Sequence, residues 1–331
     1  MTKALEVEGL VTSFPVEGRR LAVVEELSLH VEEGEVLALV GESGCGKSVT
    51  ALSLMRLVPK PGRIDAGSVR VGGREILTLP VPEMRRVRGA ELAMIFQEPM
   101  TSLNPVVPVG AQVVEAIRLH ERVSASAARA RTLSLFARVG IPDPEERLDA
   151  YPHQLSGGLK QRVMIAMALS TRPRVLIADE PTTALDVTIQ AQILELLREL
   201  QQEVGSAILL ITHDLGVVNE LADRVAVMYG GRLVEEGSRH QVLAGARHPY
   251  TRGVRRAVPA LARPGARLEE IPGVVPTPSE WPPGCRFAGR CPVARPECPE
   301  RVPGATYLAP GHYACCFAVA EAEEAREVGR P

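Results

Sequence analysis

The sequence has no apolar run that approaches the ~20 residues of a membrane-spanning helix. Its start, MTKALEVEGL, lacks the basic-then-apolar plan of a signal peptide. An excess of basic residues is also missing, because the net charge is −2 and the isoelectric point about 6.4. No basic field therefore argues for binding to nucleic acid or to an anionic membrane surface. We expect a chain that stays in the cytoplasm and binds no nucleic acid.

The pattern of apolar residues predicts an α/β fold. Short strand-like runs come first and lead to VLALV at 36–40, whose uninterrupted apolar character is typical of a strand buried on both faces. The segment GESGCGKS and a helix-like stretch follow directly. No internal repeat is present, and 331 residues with 45% hydrophobic content suffice for a packed core with an appendage.

Composition divides the chain into three parts. Residues 1–255 carry the α/β pattern, and about 98–158 within them are mainly helical in pattern, which predicts a helical subdomain inserted in the core. Residues 256–320 are rich in Pro, Gly and Cys and lose amphipathic periodicity, which predicts a small loop-rich extension. Residues 321–331, EAEEAREVGRP, are rich in charge, and we expect them to form a solvated, flexible tail.

The strongest motif is a phosphate loop. Residues 41–48 match G-x-x-x-x-G-K-[ST] at every position, between a strand pattern and a helix pattern. The glycines let backbone amides surround phosphates, Lys47 brings a point charge to the outer phosphates, and the Ser48 hydroxyl suits Mg²⁺. Cys45 fills a variable position as a small side chain rather than a ligand. The predicted nucleotide-binding residues here are Gly41, Glu42, Ser43, Gly44, Cys45, Gly46, Lys47, Ser48 and Val49.

An acidic pair ends a second buried strand, VLIADE. Such a strand delivers Asp179 and Glu180 to the carboxyl edge of the sheet, where α/β proteins bind ligands. We predict that Asp179 holds Mg²⁺, directly or through water, and that Glu180 polarises the attacking water. The two roles are separate because a metal-bound carboxylate is a poor base. A helix-capping acidic pair is the alternative.

A Ser-Gly-Gly turn precedes a helix pattern in LSGGLKQR. Unpaired backbone N–H groups and the helix dipole point outward together at such a turn, which makes it an anion site. The residues of this predicted signature are Leu155, Ser156, Gly157 and Gly158.

Taken in order, GESGCGKS, FQEPMTSLNP, LSGGLKQR, VLIADEPTTALD and ITHD resemble the ATP-binding subunit of an ATP-binding cassette (ABC) transporter over residues 5–255. The resemblance implies a phosphate-loop NTPase cassette with a mixed sheet core. It also implies ATP and Mg²⁺ as cofactors and ATP hydrolysis coupled to transport. The Leu155–Gly158 signature would then complete the ATP site of a partner, so that two ATP molecules are sandwiched between two cassettes.

The resemblance also implies roles for residues outside these motifs' glycine-rich turns. Gln97 would reach Mg²⁺ and the attacking water, and His213 would hydrogen-bond the terminal phosphate. Phe14 would stack on adenine, with a core aromatic as the alternative. The implied catalytic set is Glu180, His213, Gln97 and Lys47, and the implied loop for contact between cassettes is Ala184, Leu185 and Asp186.

Three segments, FQEPMTSLNP, HPYTRG at 248–253 and residues 271–316, resemble subunits of oligopeptide, dipeptide and nickel importers. The pair Val49-Thr50 and ADEPTTALDVTIQAQIL resemble the first of two unlike ATPases in these importers. The implied partners are a second, unlike ATPase, two transmembrane permease subunits and an extracytoplasmic substrate-binding protein, with this chain at the cytoplasmic face of the membrane. Peptide is the expected substrate, and nickel, opines and oligosaccharides are alternatives.

Five of the six cysteines lie between Cys285 and Cys316, which in a reducing compartment indicates metal ligation before disulfides. Four thiolates fit Zn²⁺ or an iron–sulfur cluster, and free or disulfide-bonded cysteines are a third possibility. The resemblance favours a 4Fe-4S cluster over zinc. Its implied ligands are Cys285, Cys291, Cys298 and Cys316, with Cys315 as an alternative fourth ligand.

Two rival functions share parts of this pattern. A soluble DNA-maintenance ATPase also carries a phosphate loop and an LSGG element, but it has long coiled coils or zinc insertions within the cassette, and this sequence has neither. A regulatory cassette would bind ATP without hydrolysing it, and the presence of Glu180, Gln97 and His213 argues against that.

Overall fold

The structure is a computed structural model that describes residues 2–98, 102–182, 187–257 and 270–328. The chain divides into two compact units, each built from three segments. The first unit comprises Met1–Glu6, His30–Glu35 and Arg70–Leu210. The second unit comprises Val7–Leu29, Val36–Val69 and Ile211–Pro331.

The strands are, in chain order, β1 (Lys3–Val16), β2 (Arg19–Glu32), β3 (Val36–Val40), β4 (Arg63–Val71), β5 (Arg74–Glu75), β6 (Leu92–Ile95), β7 (Val175–Asp179), β8 (Ala207–Thr212), β9 (Arg224–Tyr229), β10 (Arg232–Ser238), β11 (Thr306–Ala309) and β12 (His312–Ala314). Every residue of β3, β6, β7 and β8 is buried. These runs are apolar except for Asp179 and Thr212 at the ends of β7 and β8, which is typical of strands covered on both faces.

The helices are α1 (Lys47–Leu54), α2 (Val81–Ala90), α3 (Val109–His120), α4 (Ala125–Arg138), α5 (Pro144–Arg147), α6 (Gly157–Leu169), α7 (Val187–Val204), α8 (Leu215–Leu221), α9 (Arg239–Leu243), α10 (Pro249–Arg256) and α11 (Phe317–Val328). Ser124, Ser156 and Ser238 are the N-caps of α4, α6 and α9, and the hydroxyl of each accepts a hydrogen bond from a first-turn backbone N–H. None of the helices in the described ranges is long and apolar enough to cross a membrane.

In the second unit, strands of both directions form a mixed sheet in the order β11-β12-β10-β9-β3. Strand β3 runs parallel to β9, with Leu37 opposite Arg224 and Val40 opposite Val227. Strands β9 and β10, β10 and β12, and β11 and β12 pair antiparallel. Because β3 ends at Val40, its carboxyl end delivers the chain directly into the phosphate-loop segment.

In the first unit, β7 lies between β6 and β8. Strands β6 and β7 are parallel, with Leu92 opposite Val175 and Ile95 opposite Ala178. Helices α3, α4 and α6 pack on one another, and α6 also contacts β6. The carboxyl ends of β6 and β7 therefore lie side by side.

A buried aromatic cluster joins the C-terminal residues of the second unit to its sheet. Tyr229 of β9 contacts Tyr250 of α10 and Phe287, with ring centroids 4.6 and 5.1 Å apart. His248 caps α10, because its Nδ1 accepts a hydrogen bond from the backbone N–H of Tyr250 at 3.1 Å. Burial lowers the pKa of His248 to about 3, so the imidazole is neutral at physiological pH.

Besides the aromatic cluster, a polar connection within the second unit is centred on Glu235 of β10. The side chain of Glu235 is 0% exposed. Its Oε1 and Oε2 accept hydrogen bonds from the backbone N–H groups of Arg247 and His248, both at 2.8 Å. Its Oε1 also lies 3.0 Å from His312 Nε2 of β12. One buried carboxylate thus fixes two later segments of the unit to β10.

Replacing Glu235 with alanine should lower the free energy of unfolding by about 3 kcal/mol, because buried hydrogen-bonding groups lose their partner. Chemical denaturation monitored by circular dichroism measures this loss. The matched control is Glu321→Ala, since Glu321 pairs with Arg295 at the surface and its side chain is 64% exposed. A surface pair contributes about 0–1 kcal/mol. Equal destabilisation by both changes would contradict the connecting role of Glu235.

Candidate functional site

The phosphate-loop segment forms a tight turn between β3 and α1. A Cβ on residue 41 would lie 2.3 Å from the Met228 carbonyl oxygen and 2.7 Å from Cys45 Sγ, so only glycine fits there. Gly46 has a φ of 106° and caps the N-terminus of α1. Burial raises the pKa of the Cys45 thiol, which keeps this side chain neutral and suits a small filler. The backbone of the loop therefore curls around the start of a helix, as an anion site requires.

Lys47 is the first residue of α1, and only 6% of it is exposed. Its ammonium donates hydrogen bonds to the carbonyl oxygens of Gly41 at 2.7 Å and Glu42 at 3.1 Å. These bonds hold the charge over the loop, where a phosphate-loop lysine acts. Ser48 and Val49, both half-buried, follow in the same helical turn. Phe14 of β1 is half-buried too, and its ring lies against Gly62.

In the first unit, the structure places Gln97, Asp179 and Glu180 at one edge of the sheet. Gln97 is exposed and follows β6 by two residues, whereas Asp179 is buried and ends β7. Because β6 and β7 are parallel neighbours, both side chains belong to the carboxyl ends of adjacent strands. Glu180 is buried and has a φ of 51°, a left-handed conformation that is uncommon for a residue with a side chain.

The LSGG segment begins α6 as the sequence pattern predicts. Ser156 is the N-cap, and its Oγ accepts a hydrogen bond from the Leu159 N–H at 3.3 Å. Ser156 and Gly157 are exposed, whereas Leu155 is buried. The first-turn backbone therefore faces solvent, which leaves it accessible to an anion.

Gln161, which none of the sequence motifs predicts to be functional, connects two of these motifs. Its Nε2 donates a hydrogen bond to the carbonyl oxygen of Pro181 at 2.8 Å, and its side chain is buried. Helix α6 is thus attached to the residue that follows Glu180. The glutamine in LSGGLKQR could have indicated such a contact, because a glutamine within an otherwise apolar helix face needs a buried hydrogen-bond partner.

His213 is exposed and follows β8 directly, in the second unit. The next residue, Asp214, is the N-cap of α8 and accepts a hydrogen bond from the Gly216 N–H at 2.7 Å. The predicted inter-cassette loop of Ala184, Leu185 and Asp186 lies outside the described residues, as do residues 99–101 of the FQEPMTSLNP segment.

The prediction of a 4Fe-4S cluster is wrong. The described residues include all five cysteines between Cys285 and Cys316. No group of three or more His, Cys, Asp or Glu side chains in the described part of the chain is arranged to hold a metal ion. The same finding argues against zinc. All six cysteines are free thiols.

The C-terminal cysteines nevertheless share a location. The side chains of Cys285, Cys291, Cys298 and Cys316 line one small cavity together with apolar residues that include Phe287 and Val293. Burial raises the pKa of the Cys285 thiol to about 11 and also raises that of Cys291. The four cysteines thus share an enclosed site in which thiols and apolar side chains pack together.

The loop follows a buried strand and leads into a helix, and the lysine at the start of that helix bonds back to the loop. This arrangement is that of a phosphate-loop nucleotide-binding protein. Residues 24–183 match the ABC transporter family, and residues 234–298 match the C-terminal region of oligopeptide/dipeptide transporters. The chain is 50% identical to the dipeptide transport ATP-binding protein DppD of Escherichia coli (strain K12), over 94% of this chain and 95% of the relative. It is 51% identical to a probable peptide ABC transporter ATP-binding protein of Sinorhizobium fredii, over 95% and 94%. The chain belongs to the ABC transporter family, as one of its ATP-binding proteins.

The fold is also similar to that of solved ABC cassettes. A dimeric ATP-binding cassette in a post-hydrolysis state with bound ADP and Pi is similar at a TM-score of 0.65 and 25% identity, over 71% of this chain and 98% of that one. The cassette cbiO1 of Clostridium perfringens, part of an ABC transporter complex, is similar at a TM-score of 0.61 and 29% identity, over 74% and 92%. The predicted α/β cassette fold and the predicted family are confirmed. The chain is accordingly an ATP hydrolase of the transport type, a peripheral subunit at the cytoplasmic face of the membrane, with ATP and Mg²⁺ as its cofactors.

Proposed function

We propose that this chain binds and hydrolyses ATP to power the import of peptides through a membrane permease. The observation that carries the proposal is the presence, in one chain, of the ABC transporter match and the oligopeptide/dipeptide transporter C-terminal match. The names of its relatives from Escherichia coli and Sinorhizobium fredii, dipeptide transport and peptide ABC transporter ATP-binding proteins, support the same substrate. The transport partners would be two transmembrane permease subunits and an extracytoplasmic substrate-binding protein.

We further propose that two cassettes act together. The exposed first turn of α6, headed by Ser156, would complete the ATP site of the second cassette. The segment of Ala184, Leu185 and Asp186 would sense that partner. The Val49-Thr50 pair and the ADEPTTALDVTIQAQIL segment support an unlike partner, so we propose a heterodimer of two different ATPases.

The residue roles follow from chemistry. Lys47 would bind the outer phosphates, His213 would hydrogen-bond the terminal phosphate, and Phe14 would stack on adenine. Glu180 would polarise the attacking water. The oxygen ligands for Mg²⁺ would be Ser48, Gln97 and Asp179, and oxygen donors are the set that this ion prefers. When bound, Mg²⁺ neutralises the charge that develops on the phosphates.

Substrate class is tested with the complete transporter in proteoliposomes. We expect ATP turnover to rise several-fold, on the order of 3- to 10-fold, when the substrate-binding protein carries a dipeptide or oligopeptide, because binding energy from the loaded protein favours the closed dimer. Nickel, an opine and an oligosaccharide serve as comparison substrates at equal concentration. Stimulation by one of these, with none by peptides, would contradict the peptide proposal while leaving the ATPase function intact.

A further inference from the structure

Two side chains from the C-terminal part of the chain hold Glu42, the second residue of the phosphate loop. Arg290 donates to both carboxylate oxygens, with an Nη1–Oε2 distance of 2.8 Å and an Nη2–Oε1 distance of 3.0 Å. The Tyr250 hydroxyl accepts a hydrogen bond from the backbone N–H of Glu42 at 2.8 Å. Both the side chain and the main chain of Glu42 are therefore fixed from outside the loop.

Arg290 is itself held rigidly. Its side chain is only 6% exposed, and its Nε donates to the Pro272 carbonyl oxygen at 2.9 Å. Its terminal nitrogens also donate to the Gly273 carbonyl oxygen at 3.2 Å and to the Tyr229 hydroxyl at 3.3 Å. A guanidinium bonded on all three nitrogens has one orientation, and its planar fork matches a carboxylate in a way that an ammonium cannot.

The Tyr250 hydroxyl is equally constrained. The residue is buried, and its ring packs against Tyr229 and Phe287 with centroids 4.6 and 5.4 Å away. A fully buried ring that packs against two other rings has little room to move. The acceptor for the Glu42 N–H is therefore a fixed point.

Glu42 connects these fixed groups to the lysine of the loop, because its carbonyl oxygen accepts a hydrogen bond from Lys47 Nζ at 3.1 Å. The loop itself is rich in glycine, which makes its backbone costly to order without outside support. A site whose donors are already ordered binds more tightly than one that must be ordered by its ligand.

We propose that Arg290 is a positioning residue for ATP binding. With Tyr250, it holds Glu42 so that Lys47 and the loop amides are already arranged for the phosphates. The C-terminal region of residues 234–298, which contains both side chains, thus contributes to the ATP site of its own chain. This inference rests on the ATP binding of the proposed function and does not depend on which substrate is imported.

The test measures the equilibrium dissociation constant of the full-length chain for ATP in the presence of Mg²⁺, by calorimetry. Arg290→Gln should raise this constant about tenfold, a change of ~1.4 kcal/mol. Arg290→Lys should recover only part of the loss, because it restores the charge without the fork. The matched control is Arg295→Gln, five residues further along the chain, where Arg295 forms a surface pair with Glu321. The control should bind ATP as the wild type does.

A double-mutant cycle separates positioning from loss of folding. Glu42→Gln, Arg290→Gln and the double variant are compared, and the double variant should lose no more affinity than the worse single variant, because both remove the same contact. Tyr250→Phe adds an independent variant that removes only the acceptor and should also weaken binding. Additive losses, or affinities within about twofold of wild type for Arg290→Gln and Tyr250→Phe, would overturn the inference. A wild-type chain that fails to bind ATP would instead overturn the proposed function, and this inference with it.

Discussion

Replacing Glu180 with glutamine is expected to lower the steady-state ATP turnover of the assembled transporter by on the order of 10²–10⁴-fold, the usual contribution of a general base. Glutamine has nearly the same shape as glutamate but cannot accept a proton from the attacking water. The substitution should therefore remove the chemistry and leave the fold of this turn intact. The measurement is phosphate release at saturating ATP.

The structure explains why this side chain is well placed for such a role. Glu180 is buried at the end of β7 and adopts a φ of 51°, and uncommon backbone conformations of this kind cluster at functional sites. The residue after it, Pro181, is held by the hydrogen bond from Gln161. Glu180 therefore lies between β7 and a fixed Pro181, which gives its side chain a defined direction.

Two further measurements sharpen this test. ATP binding by the isolated Glu180→Gln chain should be unchanged to within about twofold, because a base that acts on water contributes little to ground-state binding. With its partners present, the variant should accumulate as a closed, ATP-bound dimer. The matched control is Glu199→Gln, an exposed position on α7, which should turn over ATP as the wild type does. Unchanged turnover at this subunit's site in Glu180→Gln would show that another group is the base.

Much of this site could be predicted because its determinants are local. The phosphate loop is eight consecutive residues, and the close approach of Gly41 to Met228 and the positive φ of Gly46 are what its glycines provide. Ser156 caps α6 through a hydroxyl that bonds three residues ahead. In each case the chemistry and the geometry lie within one turn of chain, so the sequence pattern determines both.

The connections made over long distances in sequence could not be predicted in this way. Arg290 and Glu42 are 248 residues apart, and nothing in the spacing of either motif indicates that they meet. The cysteines show the same limit. Their spacing does bring Cys285, Cys291, Cys298 and Cys316 to one cavity, but coordination depends on the directions of the side chains, which spacing does not encode.

Removing the loop lysine should have the largest effect on binding. Lys47→Ala is expected to raise the dissociation constant for ATP with Mg²⁺ by about 10²-fold, because each hydrogen bond from the ammonium to a phosphate oxygen contributes about 1.5–3 kcal/mol. Calorimetry on the isolated chain measures the constant. The control is Lys3→Ala, an exposed lysine of β1 that pairs with Glu6.

Charge alone should not restore binding. Lys47 is 6% exposed and reaches the carbonyl oxygens of Gly41 and Glu42, so the space around its ammonium is already filled. An arginine at this position would carry the same charge on a larger, planar group. We therefore expect Lys47→Arg to bind ATP nearly as poorly as Lys47→Ala. Wild-type affinity in Lys47→Arg would show that the site needs only a positive charge, whereas wild-type affinity in Lys47→Ala would remove Lys47 from the binding site.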